Sequence, residues 1–123
     1  MNRIAFTVEG PCVPCPRPRG KAGQRAYYSQ RYTDWKTAAQ VAALEACASQ
    51  AGTPRPCWTG AVELRVIFDG ARKNADIDNL VKSAMDAIQG IIIEDDVQVH
   101  RLYASKRIGR GVRKATFFEV VGG

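Results

Sequence analysis

The chain has 123 residues, with 18 Lys and Arg against 12 Asp and Glu, a formal charge of +6 and a pI near 9.4. That length allows one compact domain and argues against two, and 46% hydrophobic with 24% charged residues is enough to bury a core, which excludes a chain disordered throughout. No apolar run approaches the roughly 20 residues of a membrane span and the start lacks the apolar core of a signal peptide, so the expectation is a cytoplasmic protein, with no membrane, whose charge suits a polyanionic partner.

Residues 3–9 alternate, placing Ile4, Phe6 and Val8 on one face of a first strand that Gly10-Pro11 ends. From Gly10 to Thr33 no periodicity is visible. Four prolines fall in its first nine residues, followed by Arg17, Arg19, Lys21, Arg25 and Arg31 and not one acid. Connections in small domains are far shorter, so residues 10–33 are expected to form a basic, partly mobile loop. A helix over about 34–51 follows from alanine-rich composition, with Thr33 as N-cap and Gly52-Thr53-Pro54 as the stop. Its apolar stripe consists mostly of small side chains that permit close packing on a sheet. Residues 61–69 alternate again, with Val62, Leu64, Val66 and Phe68 inward and Glu63 and Arg65 outward.

A second helix is the best-defined element, because Ile77, Leu80, Val81, Ala84, Met85 and Ile88 fall at helical spacing and Gly90 closes it as a C′ glycine. Its opposite face carries Asp78, Lys82 and Asp86, each four residues on from the last. Three isoleucines and the acidic turn Glu94-Asp95-Asp96 lead to a strand over about 97–106, and Gly109 and Gly111 turn the chain into a last strand over 115–121. The order β-α-β-α-β-β predicts an α+β (mixed α/β) fold, a single domain over residues 1–123 in which two helices pack on one mixed sheet. Two crossovers favour parallel neighbours and the last two strands are expected to form an antiparallel hairpin. Four cysteines without a secretory signal read as reduced, partly buried thiols. Cys12-Val13-Pro14-Cys15 has metal-knuckle spacing, but Cys47 and Cys57 form no second close pair.

The acids are unevenly spread. Asp69, Asp76, Asp78, Asp86, Glu94, Asp95 and Asp96 put seven of twelve within 28 residues, flanked by the basic loop and by Arg101, Lys106, Arg107, Arg110, Arg113 and Lys114. An acidic centre in a basic chain is what a metal-dependent enzyme on a phosphate backbone needs. Cationic side chains hold the polyanion and carboxylates hold Mg²⁺ or Mn²⁺. Two residues apart, Asp76 and Asp78 would point about 200° from each other inside a helix. They converge only if Asp76 precedes the first turn, extended or at the N-cap. Lys82 stands one turn below Asp78, where its ammonium can neutralise charge developing on phosphate. Crowded carboxylates raise one another's pKa, a conflict that a divalent cation resolves. The competing reading is structural: aspartates near a helix N-terminus favour capping, and Asp78 with Lys82 at i,i+4 makes a surface pair worth about 0.3–0.5 kcal/mol. A calcium loop is excluded by the missing glycine and terminal glutamate, and His100, the only histidine, leaves little material for a triad.

The strings Asn74-Ala75-Asp76-Ile77-Asp78-Asn79-Leu80-Val81-Lys82, Asp86-Ala87-Ile88-Gln89-Gly90 and Asp95-Asp96-Val97-Gln98-Val99, with Lys106, resemble the RusA family of Holliday junction resolvases. Gly10-Pro11, Pro16-Arg17-Pro18-Arg19 and Tyr32-Trp35-Lys36 are similar to the family's strand exit, basic loop and first-helix approach. The resemblance implies a homodimeric, Mg²⁺-dependent endonuclease that cuts four-way DNA junctions by paired symmetric nicks, in a setting that leans to phage or prophage. It implies Asp76, Asp78 and Asp96 as catalytic, metal-binding acids and Lys82 as the essential lysine. Asp95 and Asp86 match further family acids, although Asp86 can instead pair with Lys82. Arg17, Arg19, Lys21, Arg25, Lys106, Arg107 and Arg110 are expected to grip DNA phosphates, and Tyr27 and Tyr28 to stack on exposed bases or pack on the body. Two other readings stay open: a non-catalytic basic DNA-binding module, and a metal nuclease for other branched DNA such as flaps or forks.

Overall fold

The structure, a computed structural model, describes residues 2–16, 29–109 and 111–122. The order of elements is β1 (Asn2–Glu9), α1 (Gln30–Ala51), β2 (Val62–Asp69), α2 (Ile77–Ile88), β3 (Val99–Arg107) and β4 (Ala115–Gly122), with one 3₁₀ turn at Asp96–Gln98. The fold is the expected α+β arrangement, but the sheet is not wired as the sequence suggests. Its strand order is β1-β4-β2-β3. β2 and β3 pair in parallel, whereas β4 lies between β1 and β2 and is antiparallel to both. The expected β3–β4 hairpin is therefore absent, and β1 and β2 are not neighbours. Burial explains the choice. β4 is apolar and shielded along most of its length, as a central strand must be, while β3, with exposed His100, Arg101, Leu102 and Tyr103, suits an edge.

Register places one core face across three strands. Ile4 stands opposite Val120 and Val120 opposite Leu64; Phe6, Phe118 and Val66 form the next row; Val8, Thr116 and Phe68 the third. Phe6 and Phe118 stack with ring centroids 4.5 Å apart. Both helices join this face in one hydrophobic cluster. α1 contributes Trp35, Ala39, Ala43, Ala46 and Cys47, so the small side chains do let it lie close to β1 and α2. It begins four residues earlier than predicted. Ser29 is the N-cap, its hydroxyl accepting from Tyr32 N–H, and Thr33 lies within the first turn with its hydroxyl on Ser29 C=O. The α1-facing end of the supposed loop is thus helical.

The start of that segment is ordered too. Cys15 N–H donates to Asn79 C=O and Ser83 Oγ donates to Val13 C=O, which lays residues 12–15 along α2. All four cysteines are free thiols, with Cys12, Cys15 and Cys47 buried and Cys57 half-buried. At the sheet's outer edge, the Gln50 amide closes both backbone groups of Ala5 in β1, donating to the carbonyl at 2.7 Å and accepting from the N–H at 2.9 Å. No helix among the described residues is long and apolar enough to cross a membrane.

Candidate active site

α2 forms where its apolar stripe demands, burying Leu80, Ala84, Ala87 and Ile88. Gln89 is its C-cap and Gly90 follows in the left-handed region at φ 82°. Asp76 is its N-cap, extended at φ −70° and ψ 132°, and Asp78 sits in the first turn. This is the condition under which two aspartates at i and i+2 turn to the same side. An N-cap aspartate ordinarily accepts a backbone N–H of the first turn, yet the Asp76 side chain makes no capping bond. Both residues are exposed. Asp76 lies in the connection that leaves β2, at the carboxyl end of the parallel β2–β3 pair, a common place for ligands in such sheets.

The acidic turn is anchored from beneath. Ile91, Ile92 and Ile93 are almost fully buried, each contributing roughly 1.5–3 kcal/mol of apolar burial. Cys57 and Trp58 N–H groups bond to Ile91 and Ile92 C=O, stitching the 57–58 segment to this run. Gln98 completes the attachment. Its carbonyl accepts from Glu94 and Asp95 N–H, and its amide donates to Trp58 C=O at 2.6 Å and Gly60 C=O at 2.9 Å. Residues 97 and 98, predicted as strand, therefore belong to the 3₁₀ turn, and β3 begins at Val99. Asp95 is the cap of that turn: its carboxylate accepts Val97 N–H and forms a capping box with Gln98. The Val97 N–H foremost, and then a hydrogen bond shared with the Asp96 side chain, hold its carboxyl below the usual carboxylate range. Asp96 has the opposite tendency. A shared hydrogen bond with Asp95, then partial burial and the Asp95 charge, raise it; Lys82 lowers it and Asp86 raises it again. Those last two influences place Asp96 within electrostatic reach of the middle of α2.

There Lys82 Nζ lies 3.9 Å from Asp86 Oδ1, the i,i+4 pairing expected of Asp86. The other oxygen of Asp86 accepts from Tyr32 Oη at 3.1 Å and faces Cys15 Sγ at 3.9 Å. Burial, reinforced by the Asp86 charge, pushes the Tyr32 hydroxyl far above its ordinary pKa, so it stays a donor to that carboxylate. Asp86 thus ties α1, the Cys12–Cys15 segment and Lys82 together.

The expected DNA-binding cations divide. Arg17, Arg19, Lys21, Arg25 and Arg110, with Tyr27 and Tyr28, lie outside the described residues. Arg107 grips the buried Asp69 with two bonds of 2.5 Å, and Lys106 Nζ donates to the Lys73 and Ala75 carbonyls. Arg113 pairs with Glu9. One cation the sequence did not single out is Arg72. It lines, with Arg31, Asn79, Ser29 and residues 11–16, an open cleft of about 580 Å³ that reaches Asp76. Its signal was only its place four residues before Asp76.

Among the described residues no group of three or more His, Cys, Asp or Glu side chains is gathered closely enough to hold an ion. The structure brings Lys82, Asp86 and Asp96 into one neighbourhood and sets Asp76 and Asp78 at the head of the same helix. The donor set still fits a hard cation. Asp76, Asp78 and Asp96 offer carboxylate oxygens, the ligands Mg²⁺ and Mn²⁺ prefer, and the Asp76 carboxylate is not used by its own helix. Comparison with protein families finds a match to the family described as Endodeoxyribonuclease RusA over residues 9–114. Comparison with the curated proteins finds no match.

Proposed function

Because the chain belongs to the RusA endodeoxyribonuclease family and is by that membership a nuclease, we propose that it resolves four-way DNA junctions by paired symmetric nicks, in recombination and repair, as a cytoplasmic homodimer that uses Mg²⁺ and accepts Mn²⁺. The observation that supports a cation-dependent site is the Asp76 carboxylate, exposed at a helix start beside Asp78 and left out of its own cap. In this reading Asp76, Asp78 and Asp96 hold the cation. When bound, it would supply Lewis-acid polarisation of the scissile phosphate and lower the pKa of a water so that, on losing a proton, it becomes the nucleophile.

The chain's own residues do the rest. Lys82, aimed by Asp86, places a positive charge where the attacked phosphate gains negative charge, and Tyr32 keeps Asp86 pointed at that lysine. Arg31 and Arg72 flank the cleft beside Asp76, where a backbone phosphate can be held against the aspartates. A homodimer suits the substrate, since a junction presents two equivalent strands and an isologous interface repeats one site by a two-fold axis.

The test is a synthetic four-way junction incubated with protein and Mg²⁺, then with Asp78→Asn. The variant is expected to lose cleavage by about a thousandfold while still retarding the junction in a gel. Unaltered cleavage by the variant would remove Asp78 from the chemistry. Preference for flaps or forks in competition would replace the substrate, and salt-sensitive binding with no cation-dependent nicking would leave a binding module.

A further inference from the structure

Lys106 is a basic residue at the end of β3, and charge alone marks it as a phosphate contact. Register points it elsewhere. In the parallel β2–β3 pair Lys106 stands beside Phe68, in the row pattern that puts Leu64 beside Leu102 and Val66 beside Ala104. That is the core face, so its side chain leaves the sheet on the side where α2 packs. It reaches the connection between β2 and α2, and Nζ donates to Lys73 C=O at 3.2 Å and Ala75 C=O at 2.6 Å. A charged donor makes such bonds shorter and roughly twice as strong as neutral ones.

The residue so held is the one before Asp76. Ala75 is buried and its N–H donates to Arg72 C=O at 3.0 Å, so Lys106 fixes the remaining backbone group of that residue. Asp76 makes no capping bond, and its carboxylate therefore takes its direction from this backbone. The other end of the connection is fixed by the next residue of β3. Arg107 turns to the opposite face to hold Asp69, and its carbonyl accepts Gly70 N–H at 3.0 Å. Gly70 adopts φ 74°, and a Cβ there would meet Lys114 Cγ at 2.7 Å, so only glycine fits. Two consecutive residues of β3 clamp the whole span that delivers Asp76.

We propose that Lys106 is a positioning residue for the cation-binding aspartates and not a phosphate contact. The proposal rests on the nuclease reading, deepening it to a residue that acts through Ala75 on Asp76. The experiment measures Mn²⁺ binding by calorimetry, the Mg²⁺ concentration for half-maximal junction cleavage, and junction affinity in Ca²⁺ across a salt series, for wild type, Lys106→Met and Lys106→Arg. Hydrogen exchange at residues 73–77 reports the backbone directly. Lys106→Met is expected to weaken Mn²⁺ binding and raise the Mg²⁺ requirement by about 10–100-fold, with faster exchange at 73–77 and unchanged junction affinity and salt slope. Lys106→Arg should resemble Lys106→Met, because the guanidinium keeps the charge but not the compact head that fits two carbonyls. A phosphate contact predicts the reverse: Lys106→Met loses junction affinity and about one unit of salt slope, Lys106→Arg is near wild type, and Mn²⁺ binding and the Mg²⁺ requirement are untouched. That result would overturn the proposal. If wild type neither cleaves nor binds Mn²⁺, the nuclease reading falls; if it does both and Lys106→Met matches it, only the positioning role falls.

Discussion

Two aspartates occupy the same station at the start of two helical turns and are employed in opposite ways. Asp95 caps the turn before β3 with a bond from Val97 N–H and a capping box with Gln98, while Asp76 caps α2 in name only, its carboxylate making no such bond. A carboxylate used by the backbone is held by the fold and offers little to a ligand. One left out makes no capping bond to its helix and remains available to a cation. The acidic turn and the head of α2 are thus a scaffold and a working end built from the same residue type, and Asp96, next to Asp95 but raised in pKa and within electrostatic reach of Lys82, sides with the working end.

Cleavage separates these roles most widely. Asp76→Asn and Asp96→Asn should each lower junction cleavage by about a hundredfold to a thousandfold, and EDTA should match them in wild type. Asp95→Asn should stay within a few fold of wild type; equal losses at residues 76 and 95 would erase the distinction. Next in size, Gln98→Ala removes four hydrogen bonds from the scaffold and should cost about 2–4 kcal/mol in urea unfolding. A smaller effect follows from pH. Because the folded state lowers the Asp95 pKa, its contribution is present above the ordinary carboxylate value and is lost as pH falls through the lowered one. Asp95→Asn should therefore melt lower than wild type at neutral pH, with the gap closing in acid. Smallest and opposite in sign, Asp96 is raised in the folded state, so its contribution is present below the ordinary carboxylate value and is lost as pH rises through the raised one. Cation-free Asp96→Asn should melt slightly higher than wild type while failing to cleave.

Much of this division was legible in the residues. The 3.6-residue stripe from Ile77 to Ile88 defined α2, and the pitch of a helix required Asp76 to stand before its first turn if it was to join Asp78. Strand pairing was not legible. Proximity along the chain favoured joining β3 to β4, whereas burial decided the order, and only the sheet as a whole shows that β4 is the strand to be covered on both edges. Gln98 and Lys106 were hidden for another reason. Their partners are the backbone carbonyls of Trp58, Gly60, Lys73 and Ala75, which every sequence contains and none marks, so a lysine clasping the chain reads the same as one awaiting phosphate. Arg72 lacked any pattern of its own and becomes interpretable only once the cleft around it is seen.

The position of β4 has a consequence for how the chain reaches this state. Among the described residues β1 pairs with no strand but β4, more than a hundred residues later, and β2 meets β1 only through it. The β2–α2–β3 unit can assemble from nearby sequence, but the sheet stays split until residues 115–122 take their place between its halves. Closing so long a span is entropically slow, which makes β4 a latch for both halves and predicts that docking of residues 115–122 limits the rate at which the sheet forms.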